Sequence, residues 1–177
     1  MPESPTPAAR AGETPQAAVD SARDLLRHAV ATLAYRAGKA LRDPPAGFAD
    51  FRVGPTTRSP VQVLAHMGDL FDWALSMAQG RTVWRDSTPL SWEDERSRFF
   101  RTLAAFDAFL ASPEPLDPPV ILKLFQGPVA DALTHTGQIA LLRRLAGGPV
   151  RGENYARASI AIGRTGPEQA PSRVEFD

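Results

Sequence analysis

The chain has 177 residues and 43% hydrophobic content, which is enough to fill one sizeable core and predicts a single domain. Its twenty basic and twenty acidic residues cancel, so no overall charge favours nucleic acid or an anionic membrane surface as a partner. Cysteine is absent, which excludes disulfides, thiolate metal ligands and a cysteine nucleophile, so any metal site must use histidine, aspartate or glutamate.

The N-terminal residues 1–16 are predicted to form a disordered tail. They are rich in Pro, Ala, Thr and Glu, and they contain no apolar run that could serve as a secretory signal. Nowhere does the chain approach the ~18 uncharged apolar residues of a membrane span. We therefore expect a cytoplasmic protein, with neither nucleic acid nor a membrane as its partner.

The first two helices have clear boundaries in the sequence. Helical spacing of apolar residues runs from about residue 17 to 41, where the segment DPPAGF interrupts it. A loop rich in proline and glycine follows. A second helix is predicted to start after Ser59, a good N-cap, with Pro60 in its first turn and Gln62 completing a capping box. Gly80 supplies its C-terminal stop.

A third helix is predicted from Ser91, with Asp94 as its capping-box partner, to the residues before Pro113. The run VILKLFQ fits either a short helix or an extended segment. Gly127 and Pro128 then predict a kink or a break before a fourth helix, DALTHTGQIALLRRL, which ends at the glycines that follow.

Four amphipathic helices without alternating strands predict an all-α protein, a four-helix bundle over residues 17–148. Its long connections would permit a non-sequential order of helices. Residues 149–177 have scattered glycines and weak periodicity, so we expect an irregular C-terminal extension that wraps over the bundle.

The rotation of 100° per residue in an α-helix places each polar side chain relative to the apolar face. On the fourth helix Asp131, His135 and Gln138 fall on the inward side. That side is defined by Ile139, Leu141, Leu142 and Leu145, and the residues that lie away from it are Thr136, Gly137, Arg143 and Arg144.

The other two histidines fall on different faces of their helices. His66 faces inward at the edge of the apolar stripe of the second helix. His28 falls on the solvent face of the first helix, beside Asp24 and Tyr35. His66 is therefore the only histidine that we expect to meet the inward side of the fourth helix.

These faces predict a metal site. A buried, unpaired carboxylate costs several kcal/mol, so an inward Asp131 needs a cation or hydrogen-bond donors. One helical turn, about 5.4 Å, separates Asp131 from His135, so both can point at one divalent ion. With His66 as third ligand, the set of two histidines and one carboxylate leaves positions open for water or substrate. The alternative is an Asp131–His135 ion pair with His66 as a separate core histidine.

Two further polar residues are candidates for support of these ligands. Gln138 is expected to be a hydrogen-bond partner of the ligands, and Asp69 is expected to orient His66. Ordinary solvated polarity is the alternative interpretation of both.

The segments SPVQVLAHMGDLFDWAL and ADALTHTGQIALLRRLAG resemble the DinB/YfiT-like superfamily of metal-dependent four-helix bundles. Its members usually carry one histidine in the second helix, in a context like LAH, and a His-x-x-x-His pair just before GQ in a later helix. His66 matches the first position and His135 the last. Asp131 stands where the first histidine of the pair is usual, which is compatible with metal binding but leaves the identity of the metal open.

The resemblance covers about residues 17–148 and carries functional implications. It implies a bound divalent ion and a homodimer, which is common in the superfamily. The sequence does not choose among zinc, nickel, manganese and iron. The tail RGENYARASIAIGRTG is similar to a feature of a narrower branch. Characterised relatives include thiol-dependent S-transferases and a thiol-dependent isomerase, in which the metal activates a small thiol.

Such a metal would generate a nucleophile from coordinated water or thiol near neutral pH, which predicts a transferase or hydrolase for a small-molecule substrate. Ferrous iron with oxygen chemistry is a second enzymatic hypothesis. The non-enzymatic alternative is a bundle that binds metal or an apolar ligand for structure, sensing or partner recruitment. Met67 and Trp73 are expected to line the pocket unless they are simply core residues, and Tyr155 is expected to close over it. No catalytic acid or base is assigned.

Overall fold

A computed structural model describes residues 14–176, most of which are α-helical. The all-α prediction is confirmed. The elements are α1 (Pro15–Leu41), α2 (Pro60–Ala78), α3 (Trp92–Ala111), α4 (Pro118–Leu124), α5 (Ala130–Leu145), β1 (Gly152–Glu153) and β2 (Glu175–Phe176). The two strands pair antiparallel, and no helix in the described part of the chain is long and apolar enough to cross a membrane.

The predicted helix boundaries agree closely with the structure. The side chain of Gln62 accepts a hydrogen bond from the Ser59 backbone N–H at 3.0 Å, and Gly80 follows α2 with φ +74°. At the start of α3 the Asp94 N–H donates to Ser91 Oγ at 3.2 Å. Residues 1–13 of the predicted tail lie outside the described residues, and α1 already begins at Pro15.

The predicted break before the fourth helix is wrong, and at the predicted position the helix has a local irregularity instead. A π-helical turn, Phe125–Val129, joins α4 to α5, and the backbone on both sides of it stays in the right-handed helical region. Pro128 lies inside this turn, where its missing N–H is accommodated by the irregular hydrogen bonding. The run VILKLFQ is helical, so α4, the π-turn and α5 form one long helix.

The four long helices, α1, α2, α3 and α5, form a closed ring. Helices that are consecutive in sequence are not always neighbours in space. Both α1 and α2 pack against α3 and against α5, so α1 and α2 lie on a diagonal of the bundle. Phe71, Phe99 and Phe106 are fully buried at its centre, with Phe71 ring centroids 6.1 and 5.8 Å from the other two. Each buried phenylalanine contributes roughly 1.5–3 kcal/mol through its loss of contact with water.

The C-terminal extension packs against α1. Glu153 in β1 is 5% exposed, and its carboxylate accepts hydrogen bonds from Tyr35 Oη at 2.7 Å and Lys39 Nζ at 3.0 Å. Lys39 also pairs with Glu175 of β2 at 2.6 Å. The prediction that Tyr35 faces solvent is therefore wrong, because the extension covers it; His28 is exposed as predicted.

The predicted inward face of α5 is partly wrong. Ile139 and Leu142 are buried as expected, but Leu141 and Leu145 are 57% and 53% exposed. The residues predicted to face outward include two that are buried, Thr136 and Arg143. The Thr136 hydroxyl donates a hydrogen bond to Ala132 O of its own helix. The guanidinium of Arg143 donates to the backbone carbonyls at the C-terminal end of α1. Polar side chains with such partners occupy the interior at no large cost.

Candidate metal-binding site

The structure brings His66 of α2 together with Asp131 and His135 of α5. His66 Nε2 lies 3.3 Å from Asp131 Oδ2, and His135 Nε2 lies 3.4 Å from Asp131 Oδ1. The two imidazole rings meet edge to face with centroids 4.9 Å apart. One potential ligand atom from each residue lies within 4.8 Å of the other two. The three residues singled out from the sequence therefore form one cluster, called here the His/Asp/His cluster.

The π-turn determines how this cluster meets solvent. In an unbroken α-helix the buried positions that include Leu124 would continue at 128, 131 and 135. Pro128 is buried as this spacing requires, but the π-turn holds one extra residue, so beyond it the buried positions are Val129, Ala132 and Thr136. Asp131 and His135 consequently lie at the edge of the core rather than inside it.

The exposure of the three side chains corrects the prediction that Asp131 is buried. Its side chain is 43% exposed, whereas those of His66 and His135 are 19% and 12% exposed. The carboxylate therefore needs no buried cation to offset a desolvation cost. The cluster has one open side, at Asp131, through which water or a small molecule can reach the imidazoles.

Gln138 lies one turn beyond His135 and contacts it directly. Its amide oxygen is 2.8 Å from His135 Nδ1, which makes that nitrogen the hydrogen-bond donor. The remaining ring nitrogen, Nε2, faces Asp131. Histidine ligands of metal ions are commonly held in this way by a second hydrogen bond.

Asp69 has a different partner from the one predicted. Its carboxylate accepts hydrogen bonds from the Ser87 N–H at 3.0 Å, from Ser87 Oγ at 2.6 Å and from Arg98, rather than from His66. Burial by itself would raise the pKa of Asp69, but the bonds from Ser87 and Arg98 outweigh it and hold that pKa below its usual value. Asp69 therefore anchors the segment between α2 and α3.

That segment, residues 81–90, forms a strap that runs along α2. Its anchors include the Asp69–Ser87 bonds and the hydrogen bond from the Val83 N–H to Ser76 Oγ at 2.9 Å. Between them Trp84 places its ring 5.6 Å from both His66 and Trp73. Sequence reasoning missed Trp84, because the strap has no periodicity from which a face could be assigned.

The predicted pocket residues lie in three different environments. Met67 is fully buried in the core, as its alternative interpretation expected, and Trp73 is half-buried beside Trp84. Tyr155 packs on α1, where its ring lies 6.3 Å from that of Tyr35 and under the guanidinium of Arg36. Of these three residues, Trp73 borders the His/Asp/His cluster through Trp84.

Comparison of the chain with family models, with curated proteins and with solved structures found no match. The resemblance to the DinB/YfiT-like superfamily therefore depends on the matched residues themselves. The support for a function comes from the geometry of the His/Asp/His cluster and of the residues around it.

Proposed function

We propose that the chain binds one divalent metal ion through His66, Asp131 and His135. The observation that carries this proposal is the mutual approach of the three ligand atoms to within 4.8 Å. Two ligands of one ion, each at about 2.1 Å from it, lie at most about 4.2 Å apart. Small side-chain rotations would therefore bring all three onto a single ion, and Asp131 leaves one side open.

We propose further that the protein is a DinB-like, metal-dependent enzyme that activates water or a small thiol for transfer or hydrolysis. A bound ion would lower the pKa of a coordinated water or thiol and so supply a nucleophile near neutral pH. Gln138 holds the orientation of His135, and the ring of Trp84 packs edge-on against His66. Two imidazoles and one carboxylate suit zinc, nickel, manganese and iron. A homodimer belongs to the same proposal through the family resemblance.

One observation favours a non-catalytic alternative. Asp131 approaches both His66 and His135, at 3.3 and 3.4 Å, so the three side chains can satisfy one another as an ion-paired cluster without any metal. The bundle would then serve in structure, sensing or partner recruitment. Metal content distinguishes the two functions.

Elemental analysis of the full-length chain purified without chelator tests the site. We expect about one metal ion per chain in the wild type, and its loss in His135→Ala, because two remaining ligands hold a divalent ion weakly. His28→Ala is the matched control, since His28 is exposed on α1 and outside the cluster. Equal, substoichiometric metal in all three proteins would refute the site.

A second measurement locates the ion and a third tests turnover. Because Trp84 lies 5.6 Å from His66, added Ni²⁺ should quench tryptophan fluorescence in the wild type and much less in Trp84→Phe.

Metal-loaded protein should then be screened against small thiols and electrophiles. Turnover that disappears in His135→Ala supports the enzyme, and complete inactivity with metal bound supports the non-catalytic bundle.

A further inference from the structure

An open groove of about 550 Å³ lies between α5 and the loop that precedes α2, with His135 in its wall. This volume falls within the roughly 300–1,000 Å³ of small-molecule sites. Val63 and Leu142 form its buried side, and Leu141 and Leu145 extend it toward solvent with more than half of each side chain exposed. Leucines left exposed along one groove are typical of a binding surface.

Arg58 gives this groove a charge. Of the residues that line it, Arg58 alone is an arginine, lysine, aspartate or glutamate. Its side chain is exposed, and its guanidinium makes no hydrogen bond or ion pair with another residue of the described chain. By contrast the neighbouring Arg52 is engaged by Thr57 and Gln62. A free guanidinium beside apolar walls is suited to the carboxylate of an otherwise apolar molecule.

We propose that this groove binds an amphipathic carboxylate as the substrate of the adjoining site. The apolar body packs on Leu141 and Leu145, the carboxylate pairs with Arg58, and the body passes His135 at the wall shared with the His/Asp/His cluster. The description of this molecule as a substrate rests on the proposed metal function. The preference of the groove for an apolar anion does not, and it can be measured without metal.

The binding test uses the full-length protein in EDTA, with 8-anilinonaphthalene-1-sulfonate as fluorescent probe and octanoate and octanol as competitors. The two competitors share an apolar chain and differ in charge. We expect octanoate to displace the probe at up to about fivefold lower concentration than octanol, because one partly exposed ion pair contributes up to about 1 kcal/mol. Equal potency of the two compounds would overturn the proposal.

Matched variants locate the binding. Arg58→Gln should bring octanoate down to the potency of octanol, whereas Arg144→Gln, at an exposed arginine of α5 outside the groove, should leave the difference intact. Leu141→Ser should weaken both compounds, and Leu25→Ser, at a leucine of α1 that is 70% exposed, should weaken neither. Equal effects of groove and control substitutions would overturn the proposal.

Cobalt-loaded protein separates this inference from the proposed function. If Co²⁺ binds at the cluster, octanoate in the groove should change its visible spectrum in the wild type and not in Leu141→Ser. Cobalt binding with no octanoate displacement would refute the groove while the metal function stands. Octanoate selectivity in a protein that binds no cobalt would refute the metal function and, with it, the assignment of the ligand as substrate.

Discussion

Asp131 differs from the other two members of the cluster in both charge and exposure. In the DinB/YfiT-like pattern that the chain resembles a histidine is usual at this position, whereas here a half-exposed carboxylate lies between two imidazoles. A carboxylate cancels part of the charge of a divalent ion, and it is a harder ligand than imidazole. In the proposed metal site, Asp131 would therefore influence the choice of metal more than the ability to bind one.

Replacement of this residue tests that interpretation. Asp131→His introduces a His-x-x-x-His pair. If the proposed site binds metal, the variant should still bind Zn²⁺, while its affinity for Mn²⁺ falls relative to Zn²⁺, because manganese favours oxygen ligands. Competition dialysis of the two ions against the wild type and the variant measures the ratio. An unchanged or increased preference for manganese would show that Asp131 does not contact the ion.

The candidate site was predictable from the sequence only for residues on regular helices. His66, Asp131 and His135 could be assigned to facing helices from their angular positions, and the structure places them together. Trp84 could not, since it lies in a strap held by hydrogen bonds between residues distant in sequence. The predicted contact between Asp69 and His66 is absent because Ser87, in the same strap, binds the Asp69 carboxylate instead. The sequence gives no sign of that hydrogen bond.

At the scale of the elements, two arginines cap the C-terminal carbonyl groups of neighbouring helices. Arg143 of α5 donates to Ala40 O at 3.1 Å and to Asp43 O at 2.9 Å at the end of α1. Arg23 of α1 in turn donates to Leu110 O at 3.3 Å and Ser112 O at 3.1 Å at the end of α3. The last carbonyls of a helix lack partners within the helix and carry partial negative charge, so a guanidinium satisfies both needs.

Loss of such a contact should be costly. We expect Arg143→Leu to lower the free energy of unfolding by about 3 kcal/mol, because it leaves several carbonyls without a donor. Arg144→Leu, at the exposed neighbouring position, should change it by no more than about 0.5 kcal/mol. Urea denaturation followed by circular dichroism measures both. Similar losses in the two variants would contradict the capping role.

These contacts also explain why one helix face was predicted incorrectly. Helical spacing predicted the existence, length and termini of the helices, since those depend on local signals such as the Ser59–Gln62 box. The buried face of α5 includes Arg143, whose carbonyl acceptors belong to a helix about a hundred residues away. A pattern that treats arginine as an outward residue cannot register such a contact.

At the scale of the whole molecule, a cluster of ionisable groups attaches the C-terminal extension to the bundle. Burial alone would raise the pKa of Glu153, but hydrogen bonds from Tyr35, Lys39 and Ser172 hold it below its usual value of 4.5. The carboxylate therefore binds α1 most strongly when it is ionised. A group whose pKa is depressed by folding stabilises the folded state above its unfolded pKa, and this stabilisation is lost as pH falls through the folded pKa.

The pH dependence of stability follows from this sign. The wild type should lose stability as pH falls from about 4.5, the usual pKa of a glutamate, through the lower folded value of Glu153. Glu153→Gln should be about 2 kcal/mol less stable at pH 7 and show a flatter slope over the same interval. Thermal unfolding at a series of pH values measures both quantities. A parallel pH profile in the variant would show that Glu153 does not cause this dependence.

The ring of helices was only partly accessible to prediction. The sequence indicated four amphipathic helices and connections long enough for a non-sequential order, but not which helices would be neighbours. That order depends on side-chain packing between distant segments, such as Phe71 of α2 with Phe99 and Phe106 of α3. The extension was equally undetermined, because its attachment joins Glu153 to Tyr35 across most of the chain.

The π-turn has a genetic consequence, because its one extra residue corresponds to one codon. Deletion of a single codon within Phe125–Val129 would leave an ordinary α-helix and rotate α5 by about 100° relative to α4. Asp131 and His135 would then move to buried positions. A related gene could thus encode all three cluster residues and still lack the site, so the length of this helix, as well as its histidines, identifies chains that share the site.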